Sequence, residues 1–95
     1  MNKAIAQLEK HLHLYVRSGG KTSRKRQAQK MRIVIGYMVE KERVKGLEQI
    51  GRKQVSRFYR DNRHLAPSTR RDYYYAINVI WRQFLQRASE PPIFK

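Results

Sequence analysis

Leu65–Leu85, LAPSTRRDYYYAINVIWRQFL, is the stretch on which the fold turns. Pro67 keeps Ala66 out of the α region, and Ser68 or Thr69 offers a hydroxyl to the first free N–H groups, so a helix is expected to begin here. Tyr73, Ile77, Ile80, Trp81 and Phe84 then recur at helical spacing on one side, the core side. Opposite them Arg71, Tyr75, Asn78 and Arg82 follow at steps of four, three and four. These residue types reach phosphates and base edges, Arg gripping guanine and Asn adenine through paired hydrogen bonds. Any surface helix has a polar face, but between Arg63 and Glu90 only Asp72 brings in an acid.

Upstream, the same periodicity predicts three more helices. The first runs from Asn2 to Arg17 with Ile5, Leu8, Leu12 and Tyr15 inward, and Ser18-Gly19-Gly20 ends it. A second, longer helix opens in Lys21–Arg26 with Thr22 or Ser23 as its cap. Its apolar face is Ala28, Met31, Val34, Ile35 and Met38, it fades near Val44-Lys45-Gly46, and its opposite face carries Lys25, Gln29, Arg32 and Gly36. Gly36 weakens the helix but permits close approach of another backbone or a partner. Gly46–Arg52 reads as a turn with two buried anchors, Leu47 and Ile50. A third helix is expected from Gly51 to Asn62, with Val55, Phe58 and Tyr59 inward. The tail from Ser89 to Lys95, with Pro91-Pro92, suits an extended exit.

Ninety-five residues with 40% apolar content allow one small domain with a modest core. With no cysteine, disulfides, thiolate zinc sites and cysteine nucleophiles are excluded. The N-terminal segment lacks a continuous apolar run, so a signal peptide or membrane span is not expected and a cytoplasmic location is. Twenty-two Lys and Arg against 7 Asp and Glu give a net charge of +15, which points to a polyanionic partner, nucleic acid first. The helical patterning separates this chain from a disordered basic tail.

A shift of 46 positions lays Ser23 on Thr69, Lys25 on Arg71, Gln29 on Tyr75 and Arg32 on Asn78. Two helices thus present similar hydroxyl-bearing, basic starts. Such starts combine free N–H groups, the positive dipole end and flanking cations, a natural seat for phosphate. In this reading Thr22, Ser23, Ser68 and Thr69 sit beside phosphates. Lys21, Arg24, Lys25, Arg26, Lys30, Arg70 and Arg71 release counterions, and Gln29, Arg32, Tyr75, Asn78 and Arg82 face the bases. The plainer readings are a solvated basic loop at Lys21–Lys30 and ordinary caps at Ser68 and Thr69. Of Tyr73, Tyr74 and Tyr75, about 100° apart on a helix, one or two should be exposed.

No phosphate-binding glycine loop, paired carboxylates or Ser/His/Asp arrangement appears, so no catalysis, cofactor, metal or small-molecule substrate is expected. His11 and His13 point to different helix faces, and His64 reads as a loop residue.

The Leu65-x-Pro67-Ser68-Thr69 opening, the arginines and tyrosines after it and the Trp81/Arg82/Phe84 close resemble the last helical segment of the core-binding domain of tyrosine recombinases (phage integrases). Gly46–Val55, GLEQIGRKQV, is similar to that family's link into its third helix, although Gly51 stands where Thr or Ser is more common. The second segment has Gly20-Lys21-Thr22 where the family often has Ser-Pro before the cap. The resemblance implies an all-α, SAM-like bundle of four main helices in two crossed hairpins, with or without a short extra helix. It also implies double-stranded DNA at a recombination site as partner, helices two and four in the major groove, and contacts with other recombinase protomers on DNA. Residues 1–88 would be the binding domain and 89–95 a linker towards a catalytic domain. The alternatives are a stand-alone basic helical regulator or accessory factor, and a basic protein for RNA, a membrane surface or another protein.

Overall fold

The computed structural model describes residues 2–18 and 21–93; the expected Gly19-Gly20 break, the side chains of Lys21 and Thr22, and Phe94 and Lys95 of the tail lie outside the described residues. Among the described residues four α-helices form: α1 (Lys3–Arg17), α2 (Lys21–Lys41), α3 (Arg52–Asp61) and α4 (Pro67–Val79). A short 3-10 turn at Leu47–Gln49 precedes α3, and a π turn at Ile80–Phe84 continues α4. The chain is an all-α bundle, and no strand occurs among the described residues.

The helices form where apolar residues recur every three or four positions, and each buries that stripe. Leu8 and Leu12 of α1, Met31, Val34, Ile35 and Met38 of α2, Val55 and Phe58 of α3, and Tyr73, Ala76 and Ile77 of α4 make one core with Ile80 and Trp81. α2 is central and packs on α1 along one flank and α4 along another, while α3 reaches it at its second half. Phe58 ties α3 to its neighbours, with ring centres 5.2 Å from Tyr37 of α2 and 5.2 Å from Tyr73 of α4. Burying one such side chain contributes about 1.5–3 kcal/mol, so this core, more than any surface ion pair, holds the helices together.

The helix ends depart from expectation in physically clear ways. Ala66 is extended (ψ 149°), as a residue before proline should be, and α4 starts at Pro67 with no side-chain cap. Proline suits the first helical position because its missing N–H would be unpaired there, so Ser68 and Thr69 lie inside the first turn instead of capping it. Likewise α2 is already helical at Lys21, which puts Thr22 and Ser23 in its first turn. α2 stops at Lys41, before Val44: Arg43 turns left-handed (φ 55°) and the Val44 N–H reaches back to the Met38 carbonyl at 3.2 Å. Gly51 flanks α3 without a hydroxyl, and the Gln54 side chain accepts from its N–H at 2.9 Å. After the π turn, Gln86 is left-handed too (φ 53°), with Arg87 N–H on the Trp81 carbonyl at 3.2 Å.

The segment expected as an extended linker carries no helix in its described residues, and it packs along α3. Tyr59 donates to the Pro92 carbonyl at 2.8 Å, Arg52 to the Glu90 carbonyl at 3.1 Å, and Pro91 is buried.

Candidate nucleic-acid interface

Because α2 packs against α4, the first half of α2 meets the first turns of α4. Ser23, Arg26, Gln27, Gln29 and Lys30 line a groove there with Asp72 of α4. Ser23, Arg26 and Gln29 are exposed, and Lys30 is half-buried because its ammonium lies 4.8 Å from the centre of the Tyr73 ring. Burial raises the Tyr73 phenol above its ordinary pKa, so the ring stays neutral and offers the cation its π face. Two cations lining an open groove together with amide and hydroxyl groups can grip phosphate oxygens and hydrogen-bond beside them.

A second groove separates α2 from α1. Lys25, Gln29 and Arg32 line it from α2, and Glu9, His13 and Arg17 from α1. Here Arg32 is held by Glu9, Nε to Oε2 at 2.9 Å and Nη2 to Oε1 at 3.1 Å, with both side chains 43% exposed. The hydrogen bond from Arg32 holds the Glu9 carboxyl below the usual carboxylate range, and Glu9 raises the guanidinium in return.

Arg24 points elsewhere. Its Nη1 donates to the Tyr15 carbonyl (3.0 Å) and to Ser18 Oγ (3.1 Å), and its guanidinium lies 4.4 Å from the Tyr15 ring centre. It is engaged in satisfying the carbonyl end of α1.

On α4, Arg71 and Tyr75 are exposed and Asn78 is half-buried; in the π turn Arg82 is exposed, its guanidinium 3.9 Å from the Glu90 carboxylate. Ser68 is exposed and Thr69 half-buried. Arg70 is half-buried, with its Nε fully enclosed and without a hydrogen-bond partner among the described residues. Of the three tyrosines, Tyr73 is core, Tyr74 half-buried and Tyr75 47% exposed.

The structure therefore joins some of the expected residues and separates others. Ser23, Arg26, Gln29 and Lys30 share one groove, whereas Lys25 and Arg32 open on the α1 side of α2. Of the α2 row that overlies Arg71, Tyr75 and Asn78 in sequence, Lys25 and Arg32 line the groove with α1, and Gln29 lines both grooves. Glu9, Asp72, His13, Arg17 and Gln27 were not among the expected site residues. Asp72 sits in the sequence beside Arg71, a visible signal, but nothing in the chain pairs Glu9 with Arg32 across 23 positions.

No protein-family model, curated protein or solved structure matches this chain. Among the described residues, no helix is long and apolar enough to cross a membrane.

Proposed function

We propose that this chain is a double-stranded DNA-binding module that acts without catalysis, serving as the core-binding domain of a site-specific tyrosine recombinase. The observation that carries this reading is the groove between α2 and α4, where Arg26 and Lys30 share the lining with Ser23, Gln27, Gln29 and the acid Asp72. Two further features support it: the net charge of +15, and the exposed Arg71 and Tyr75 of α4 with Arg82 of the π turn beyond them. In this reading α2 supplies most of the phosphate contacts, which set affinity and its salt dependence. The α4 row adds base contacts through Arg71 and Asn78. The recombination site is the partner, together with further protomers bound to it, and the work is done on nucleoid DNA in the cytoplasm.

An NMR titration of the chain with a short duplex and, in parallel, with single-stranded RNA tests the reading at two salt concentrations. Duplex-induced shifts gathered at 23–32 and 68–82 support the module. Shifts spread over every basic residue, or tighter binding of the RNA, leave only generic attraction. Once a preferred duplex is selected, Arg71→Ala and Asn78→Ala should weaken it more than a mixed-sequence duplex; equal losses on both would remove them from base readout.

A further inference from the structure

The Arg32–Glu9 pair is built in the way a guanidinium binds phosphate. Two N–H groups of one edge, Nε and Nη2, meet the two oxygens of one carboxylate at 2.9 and 3.1 Å. This side-on fork is the arrangement by which arginine grips either anion. The pair bridges α1 and α2 on the surface, and among the described residues Glu9 is the only carboxylate lining a groove that also holds Arg17 and Lys25. An exposed pair of this kind contributes little to stability, so its place in the middle of a cationic groove calls for another role.

We propose that Glu9 occupies the seat of a nucleic-acid phosphate on Arg32 and thereby weakens binding of any duplex that returns no acceptor to that guanidinium. The inference rests on the DNA-binding reading above. A duplex that uses Arg32 must first displace the carboxylate and then tolerate its negative charge nearby. A complex that returns a well-aligned acceptor to the guanidinium recovers that loss. A non-cognate duplex, lying loosely on the groove, does not. Discrimination by an unfavourable contact against the wrong partner is a general route to specificity. Because Arg32 holds the Glu9 carboxyl below its usual range, the carboxylate is ionised throughout the neutral range and the device does not depend on pH there.

The test compares four proteins, the natural chain, Glu9→Gln, Arg32→Ala and the double variant, each titrated with a short duplex of mixed sequence over a range of salt. Glu9→Gln should tighten binding roughly threefold to fivefold, about what an exposed pair can contribute, and steepen the salt dependence by about 0.9 in slope as Arg32 becomes available. In the Arg32→Ala background the same change should leave the salt slope unchanged and tighten binding distinctly less. Equal tightening in both backgrounds overturns the proposal, because Glu9 then acts only through net charge. No effect of Glu9→Gln overturns it as well, while leaving the DNA-binding reading intact. If the natural chain binds no duplex, both fall together. Thermal melts of all four proteins keep folding separate from binding.

Discussion

The Lys30 ammonium lies 4.8 Å from the centre of the Tyr73 ring, a contact that joins α2 to α4 at the groove. It ties the cation to the packing of the bundle. Lys30→Ala should therefore cost stability of about 0.5–1 kcal/mol, the size of an exposed cation–π contact, and should also lower the duplex salt slope by about 0.9. Lys30→Met, which keeps the aliphatic stem over the ring, should lose the slope with a smaller loss of stability. Urea melts and salt titrations read the two effects separately. A slope unchanged in both variants would take Lys30 off the interface.

Gly36 is an interior residue of α2, and a Cβ built there meets nothing within 4 Å. Gly36→Ala should raise stability by about 0.5–1 kcal/mol, since alanine removes the entropic penalty of glycine in a helix. If DNA or a second protomer approaches this backbone closely, the same substitution weakens binding while it stabilises the fold. A urea denaturation curve and a duplex titration on one sample distinguish a spare glycine from a contact surface.

Arg43 closes α2 at φ 55° and Gln86 closes the π turn at φ 53°. Residues with a Cβ pay about 1 kcal/mol in this region and glycine does not. Arg43→Gly and Gln86→Gly should each stabilise the protein by up to about 1 kcal/mol, raising the urea midpoint with an unchanged slope. For Gln86 the gain should also tighten the end of the π turn that sets Trp81 and Phe84. A lower midpoint in either variant would mean that the side chain contributes more than its backbone angle costs.

Tyr37 donates to Asp61 Oδ2 at 2.6 Å, linking α2 to the last residue of α3. Burial, then the hydrogen bond to Asp61, pushes the Tyr37 phenol up to about 12. Its contribution is fully present below the unfolded value of 10.0 and is lost as pH rises through about 12. The Tyr37 hydrogen bond, followed by contact with Arg60, holds Asp61 below 3.8, so its contribution is present above that value and lost as pH falls below it. Urea midpoints measured across pH should therefore fall at both extremes. Tyr37→Phe should flatten the acid limb and remove this residue's part of the alkaline one. An acid limb identical in the variant would show that the Tyr37–Asp61 bond does not couple to folding.

The core was legible because its signal is local. Met31, Val34, Ile35, Met38, Val55, Phe58, Tyr73, Ile77, Ile80 and Trp81 announce themselves by spacing, and all are buried. Phe84 fits the same pattern and is only half-buried. At the π turn it meets His11, ring centres 4.6 Å apart and planes 8° from parallel, and the edge of Tyr15. A widened turn changes which way later side chains face, and regular helical spacing does not encode it. The caps misled for a related reason: Ser68 and Thr69 have the right chemistry, but Pro67 one position earlier already satisfies the helix start.

Amino-acid order alone established four helices, their inward faces and a large positive charge, since these follow from periodicity and composition within a few turns of chain. Which cations share a groove was decided by the tertiary packing. Lys25 and Arg26 are neighbours in the chain, yet Arg26 opens towards α4 while Lys25 opens towards α1. Arg24, one residue earlier, is drawn onto Tyr15 and the end of α1. Successive residues on a helix point about 100° apart, so the neighbour each one meets is set by the helices packed around it.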